Sequence, residues 1–581
     1  MKGKWYKAPA LLAVALTLTL SAACTENGGN NAGESPKASP PTSASPAASP
    51  SASAPAEEDG PFGKYDPPIE VTTVRAINAG VKFREGDSYD DNVWYRNYAT
   101  DLGIKVTNKW KVSDQQYKNK VLVSMVGGEL PDFLVVDDQQ FQTLAQAGQL
   151  ADLTDLYDKY TSPLTKKSLE EAGGIKLDAS RYNGRLVGIP VGGGGRDDGN
   201  MLWIRKDWLD KLGLKPPKTM DDVMKIAIAF ANNDPDGNGK KDTWGLSLDY
   251  NLFGGWSALD GFFNGYHAYP FNPARGSGVN LVFLKDANGK PVFADTKPEV
   301  KTALGKLQEL YKAGAINPEF TVIDGVKSGD LATQGKVGMS FGAWWIATWP
   351  VNNMKNDDPK VDWQAYPLVS ADDKPAKALT TGALPRQFYV VKKEAKHPEA
   401  VFKLLNYYND KMYGYLERGG EVEKQYTTVT ENDVTYGPWA YAAIGGSFAD
   451  LNQDDYRALN EAIASGDTSK LSTGMKNAYA DIEKYKAGDN TLWAAEAVRQ
   501  AFAILGDYKK NDLYVMSSYF GPPTETMKTK GPTLRDNEIR AFEDIITGDK
   551  PIEYFDEWVK GWHEQGGDQI LQEVADGGAL K

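Results

Sequence analysis

Cysteine and histidine are almost missing from this 581-residue chain, which carries one Cys and three His. A single thiol, Cys24, leaves no disulfide within the chain. Standing at the N-terminal edge, it cannot pair with a histidine of the body as a nucleophile. His267, His397 and His563 have no Cys or His neighbour at metal-ligand spacing, which excludes a zinc site of the usual kind. There is no G-x-S-x-G elbow and no G-x-x-x-x-G-K-[ST] loop; the glycine run Gly192–Gly195 lacks the lysine a phosphate loop needs. Basic charge is short as well. Lys and Arg total 65 against 78 Asp and Glu, a net charge of −13, and an acidic surface is a poor match for nucleic acid. What the 78 acidic residues leave open is a pair of carboxylates acting as a glycoside hydrolase.

Long apolar runs are also absent beyond the start, so no later segment reads as a membrane span. The first residues differ. Lys2, Lys4 and Lys7 precede an apolar stretch from Ala8 to Leu20, followed by Ser21-Ala22-Ala23. This pattern reads as a secretory signal over residues 1–23. Cys24 then stands where the lipobox of bacterial lipoproteins places its lipidated cysteine, with Ser21 at the position usually held by Leu. That resemblance implies acyl chains on Cys24 and a body held at the outer face of the cell membrane by them alone. Residues 24–68 are mostly Ser, Pro, Ala, Gly and Asn, a composition that predicts a disordered tether. Without residues 1–23 the net charge is −16, which disfavours a strongly anionic ligand unless a local basic cleft overrides it.

The body is 11% aromatic and too long for one hydrophobic core, so two lobes or more are expected. Residues 69–78, 104–112 and 133–136 read as strands, with a helix over 114–127 between the last two. This alternation predicts an α/β lobe with a largely parallel sheet. Residues 185–191 read as one further strand. Residues 202–213 read as strand turning into helix, and Thr219 with Asp222 as a helix start whose apolar face is core. A helix over 298–313, strands over 337–345, 361–366 and 388–392, a helix from His397 to Asn409 and a mostly helical tail from about 450 complete the reading.

Segments spread over about 500 residues resemble the extracellular solute-binding lipoproteins of carbohydrate ABC importers, in their large LipO-like branch. They are Gly127–Asp132, Asn183–Pro190, Trp203–Leu214, Asp234–Gly239, Gly342–Trp345, Tyr389–Lys393, His397–Glu399 and the tail from Phe555 to Asp568. The resemblance implies an α/β, two-lobed, periplasmic-binding-protein-like (type II) fold with the ligand in an interlobe cleft. Lobes are expected at 69–191 and 192–381, with residues 382–581 a mostly helical part returning to both. It further implies a monomer that is not an enzyme, closing on an oligosaccharide and handing it to a permease with a cytoplasmic ATPase. A peptide or another solute on the same scaffold stays open.

Sugar recognition needs flat aromatic faces for C–H groups and a few fixed polar groups for hydroxyls. Trp344 and Trp345, after a strand, match the place where sugar-binding relatives put such a platform. Trp94 beside Asn92, together with Trp256, Trp439 and Arg205, are further candidates. Each has a plainer reading: tryptophan as core, Asn92 as a helix cap, Arg205 as the partner of Asp207. Asp234, Asp236, Asn238 and Asp242 stand at positions 1, 3, 5 and 9 of a calcium loop, with Gly239 at 6 and the Lys240 carbonyl at 7. Position 12 is Gly245 instead of Glu, so the expectations are a weak structural Ca²⁺ site or a plain Asp/Asn/Gly turn.

Overall fold

The computed structural model describes residues 59–577 except 79–80, 193–194, 272–280, 381–384, 386, 415–424, 428, 432–433 and 522. Cys24, the signal and nearly all of the tether lie outside the described residues. Strand Ile69–Ile77 pairs in parallel with Ile104–Ser113, joined through helix Val93–Asp101. That helix starts where it does because Asn92 Oδ1 accepts from the backbone N–H groups of Trp94 and Tyr95 at 3.0 and 3.3 Å. A second sheet places Gln387–Val391 between Phe133–Asp137 and Ile189–Pro190, antiparallel to both. The continuous strand expected over 185–191 is broken into Arg185–Leu186 and Ile189–Pro190. Gly188, at the break, lies so close to the sheet that a Cβ there would stand 2.8 Å from the Phe141 ring.

A four-stranded sheet forms farther along, in the order Trp363–Tyr366, Met201–Arg205, Val337–Gly342, Trp244–Leu246. Its first two pairings are antiparallel and the last is parallel. Met201–Arg205 is buried at every position, as its unbroken apolar run MLWI requires of a central strand. Helix Met220–Asn232 begins with a capping box between Thr219 and Asp222 and packs Val223, Ala227 and Phe230 inward. It comes so near the sheet that a Cβ on Gly245 would stand 2.1 Å from the Ala227 carbonyl oxygen. The largely parallel sheet is therefore corrected. Trp363–Tyr366 and Gln387–Val391 return from late in the chain and enter antiparallel, which local strand–helix alternation does not report.

Two principal cores result. One gathers residues from Val71 to Ile189 and from Tyr389 to Phe448; the other gathers Met201 to Ala378 and Trp493 to Val574. The chain passes between them after Val191, after Leu379 and after Phe448, and polar contacts bind the three passages together. Arg196 Nε donates to Asp450 at 3.1 Å while Lys509 Nζ lies 2.9 Å from the same carboxylate. Asp197 accepts from Asn452 and Gln453 at 2.8 and 3.2 Å. Thr380 Oγ1 donates to Asp198 at 2.5 Å.

Candidate functional site

The loop from Asp249 to Ala258 is held in an unusual backbone shape. Leu252 and Ser257 are left-handed at φ 64° and 69°, alongside Gly254 and Gly255 at 70° and 81°. Left-handed backbone costs a side-chain-bearing residue about 1–3 kcal/mol and persists only where the surroundings enforce it. Enforcement is visible: Asp249 Oδ1 accepts from the Asn251 N–H at 2.8 Å, and Asp260 Oδ2 accepts from the Gly254 N–H at 3.1 Å. Ser257 Oγ is bound to Ser247 and Ser328 at 2.5 and 2.6 Å. Burial pushes the Asp260 carboxyl up to about 6, with the charge of Asp198 adding to it. Burial likewise pushes Asp249 up to about 7, with Asp324 adding.

This loop walls a pocket of about 160 Å³ in the second core. Trp345, Phe271 and Leu379 offer it apolar faces; Asp198, Asn200 and Asp260 offer it polar groups. A second concavity, of about 660 Å³, is lined by residues from before Val191 and from after Val515. Tyr182, packed on the apolar cluster of Val136 and Phe388, and Asn183 come from a hairpin whose turn, Asn183-Gly184, is left-handed at both positions (φ 49° and 78°). The second core contributes Tyr519, Phe520 and Glu573. Burial works to raise the Glu573 carboxyl, yet hydrogen bonds from Thr524, Thr526 and Gln569 outweigh it and hold it down to about 2. Phe271 of the smaller pocket packs in one apolar cluster with Val515, four residues ahead of Tyr519 in the larger concavity.

Of the candidates read from sequence, Trp345 is the one that lines the smaller pocket. The strand expected to run to it stops at Gly342; Trp344–Ala347 is a 3-10 turn. Trp344 is half-buried against Phe502, ring centres 5.3 Å apart. Trp94 is corrected to core: it is fully buried, stacks on Tyr408 at 5.0 Å, and donates Nε1–H to the Pro438 carbonyl at 2.8 Å. Its neighbour Asn92 is consumed as the helix cap. Trp256 is core too, 2% exposed against Trp363. Arg205 is buried, bound to both oxygens of Asp207 at 2.8 and 2.6 Å and lying over the Trp208 ring at 4.5 Å. Trp439 is 48% exposed on the turn Pro438–Tyr441 and lines neither concavity. Asp198, Asn200, Asp260, Phe271 and the Tyr182/Tyr519/Phe520 group went unread. The available signals were the Gly254-Gly255 pair just ahead of Asp260 and the Asn183-Gly184 turn dipeptide.

The 234–242 loop closes on itself. Asp234 accepts from the N–H groups of Gly237, Asn238 and Gly239, each at 3.0 Å. Asn238 Nδ2 donates to Asp236 and Asp242 at 2.7 and 3.0 Å, and Lys336 pairs with Asp242 at 2.5 Å. Burial and then Asp234 push the Asp236 carboxyl up. Among the described residues no three His, Cys, Asp or Glu side chains stand together at metal-holding separation. The donor chemistry nonetheless suits a hard cation. The amide of Asn238 occupies the point where two carboxylates converge, and turning its oxygen inward would complete an all-oxygen set with the Lys240 carbonyl.

The profile of bacterial extracellular solute-binding proteins matches residues 82–415. Lipoprotein LipO of Bacillus subtilis (strain 168) is 34% identical over 243 residues, which is 41% of this chain and 43% of LipO. The polygalacturonan/rhamnogalacturonan-binding protein YtcQ of the same organism is 22% identical over 486 residues, covering 80% of this chain and 83% of YtcQ. The chain thus spans less than half of LipO but most of YtcQ. The S. pneumoniae ABC-transporter substrate binding protein FusA, solved in complex with kestose, superposes with a TM-score of 0.55 at 19% identity, over 87% of this chain and 98% of that one. At that identity the likeness is one of fold, and the fold is the two-lobed periplasmic-binding-protein-like one. With the family profile covering more than half of its length, the chain belongs to the bacterial extracellular solute-binding protein family.

Proposed function

We propose that this protein captures an oligosaccharide between its lobes and delivers it to the permease of an ABC importer powered by a cytoplasmic ATPase. The observation that carries this reading is the pairing of aromatic faces with acids and amides in two concavities, one lined by residues from before Val191 and from after Val515. Trp345 and Phe271 suit the C–H face of a pyranose or furanose; Asp198, Asn200 and Asp260 suit its hydroxyls. FusA was solved with kestose and YtcQ is named for polygalacturonan and rhamnogalacturonan, which supports a glycan as the ligand class. In this reading the protein binds without hydrolysing, Cys24 carries the acyl anchor outside the cell membrane, and the 234–242 loop is a structural Ca²⁺ site of the second lobe.

The test follows intrinsic tryptophan fluorescence and melting temperature of the protein against a panel of oligosaccharides, with product analysis of each sugar afterwards. A ligand at 100 times its Kd stabilises the folded state by about 2.7 kcal/mol, a readable melting shift. A sugar that shifts both signals and returns intact supports the reading. A sugar returned cleaved would make Asp198 and Asp260 the carboxylate pair of a hydrolase instead. Response to peptides alone would keep the scaffold and change the ligand.

A further inference from the structure

Resting on the glycan-binding reading above, the distribution of charge in the two concavities narrows the ligand. The smaller pocket has two carboxylates, Asp198 and Asp260, and no Lys, Arg or His among its described lining residues. The nearest cation in sequence, Arg196, is committed to Asp450. In the larger groove four acidic residues face two cations, and both cations are already engaged. Lys528 pairs with Glu525 at 2.7 Å, and Arg181 donates to the Gly184 carbonyl at 3.2 Å while facing Asp178 at 4.0 Å. Among the described lining residues, then, each cation already has a partner. A carboxylate is an acceptor-only group, so it takes a hydrogen bond from a sugar hydroxyl but has none to give a uronate. Shielding from water also makes like charges repel more strongly there than in bulk solvent.

We propose that the Trp345 pocket and the larger groove select uncharged glycans and reject uronic-acid oligomers, with Asp198 and Asp260 as the discriminating side chains. Anionic glycan units would have to enter pockets whose described linings offer carboxylates and only cations that already have partners. The arrangement therefore sets this chain apart from its relative YtcQ, which is named for polygalacturonan.

Isothermal titration of the full-length protein in mild detergent, at low salt and neutral pH, tests this with matched probes. These are neutral trisaccharides of the gluco-, galacto-, manno- and fructo-series, trigalacturonate, trimannuronate, and trigalacturonate fully converted to its methyl ester. The expected result is at least one neutral trisaccharide bound, both uronates weaker by about 100-fold or more, and the methyl ester recovering most of the gap to galactotriose. In Asp198→Asn, which keeps an acceptor for Thr380, the gap between uronate and neutral sugar narrows to about 10-fold while the variant still melts cooperatively; Asp260→Asn, read alongside, covers the case in which one variant misfolds. Uronates binding as well as neutral sugars would overturn the selectivity and leave glycan capture standing. A methyl ester rejected as strongly as the free acid would overturn it too, by showing that shape and not charge decides. Silence from every probe, neutral or charged, would overturn the glycan reading itself.

Discussion

Asp249 and Asp260 are carboxyls in the wrong solvent. Each pins the strained 249–258 loop through backbone N–H groups, and each is 3% exposed. Their folded-state pKa values, about 7 and about 6, lie above the ordinary 3.8. A carboxyl raised by folding holds its proton more tightly in the native state, so stability is full below the ordinary value. It then falls as pH rises through about 4 to 7. For Asp260 the loss is on the order of 3 kcal/mol at neutral pH, an upper figure since relaxation reduces it. Urea melts at pH 4.5 and 7.5 should show lower stability at the higher pH, and Asp249→Asn or Asp260→Asn should flatten that part of the profile. A second residue-scale contrast separates core from cleft tryptophans. Trp94→Ala removes a buried, hydrogen-bonded ring and should cost about 3–5 kcal/mol of stability. Trp345→Ala should leave the urea midpoint nearly unchanged and weaken sugar binding by roughly 10- to 100-fold. The sequence alone could not separate these two. Asn92 beside Trp94 looks like a polar group serving an aromatic platform, and only the helix start shows that its amide is spent on capping.

Elements were more legible than sites, for a local reason. Ile69–Ile77, Asp114–Gly127, Met220–Asn232 and Pro298–Lys312 carry their own periodicity, caps or proline starts, and these signals sit within a dozen residues. Sheet order does not. Trp363–Tyr366 and Gln387–Val391 enter sheets begun more than 150 residues earlier, and neighbouring residues carry no trace of that pairing. Asp198 was illegible for the same reason: in the chain it follows another aspartate in a loop, and its place in the pocket arises from the crossing between lobes. At this scale the 234–242 loop makes its own prediction. Millimolar Ca²⁺ should raise the melting temperature by several degrees, a chelator should reverse it, and Asp236→Asn should abolish the response. Mg²⁺ should act far more weakly, because the loop's ligands do not form a compact octahedron. No Ca²⁺-dependent shift would leave the segment as a self-bonded turn.

Three chain passages run between the two cores, and Asp450 on the third of them holds Arg196 of the first and Lys509 of the second core. Burial works to raise that carboxyl, but Arg196 and Lys509 outweigh it and hold it below the ordinary range. Replacing it by Ala leaves two cations without their shared partner and should cost about 2–4 kcal/mol of stability. If this contact governs how the lobes close, Asp450→Asn should change the affinity for a bound sugar even though Asp450 lines neither concavity. Equal affinity with reduced stability would confine Asp450 to a structural role. Capture of a glycan between the lobes remains the central claim, and tryptophan fluorescence titrated with neutral oligosaccharides tests it most directly. The account predicts a saturable change with at least one of them, returned uncleaved, and its loss in Trp345→Ala. A titration flat for every oligosaccharide, or a response untouched by Trp345→Ala, would contradict it.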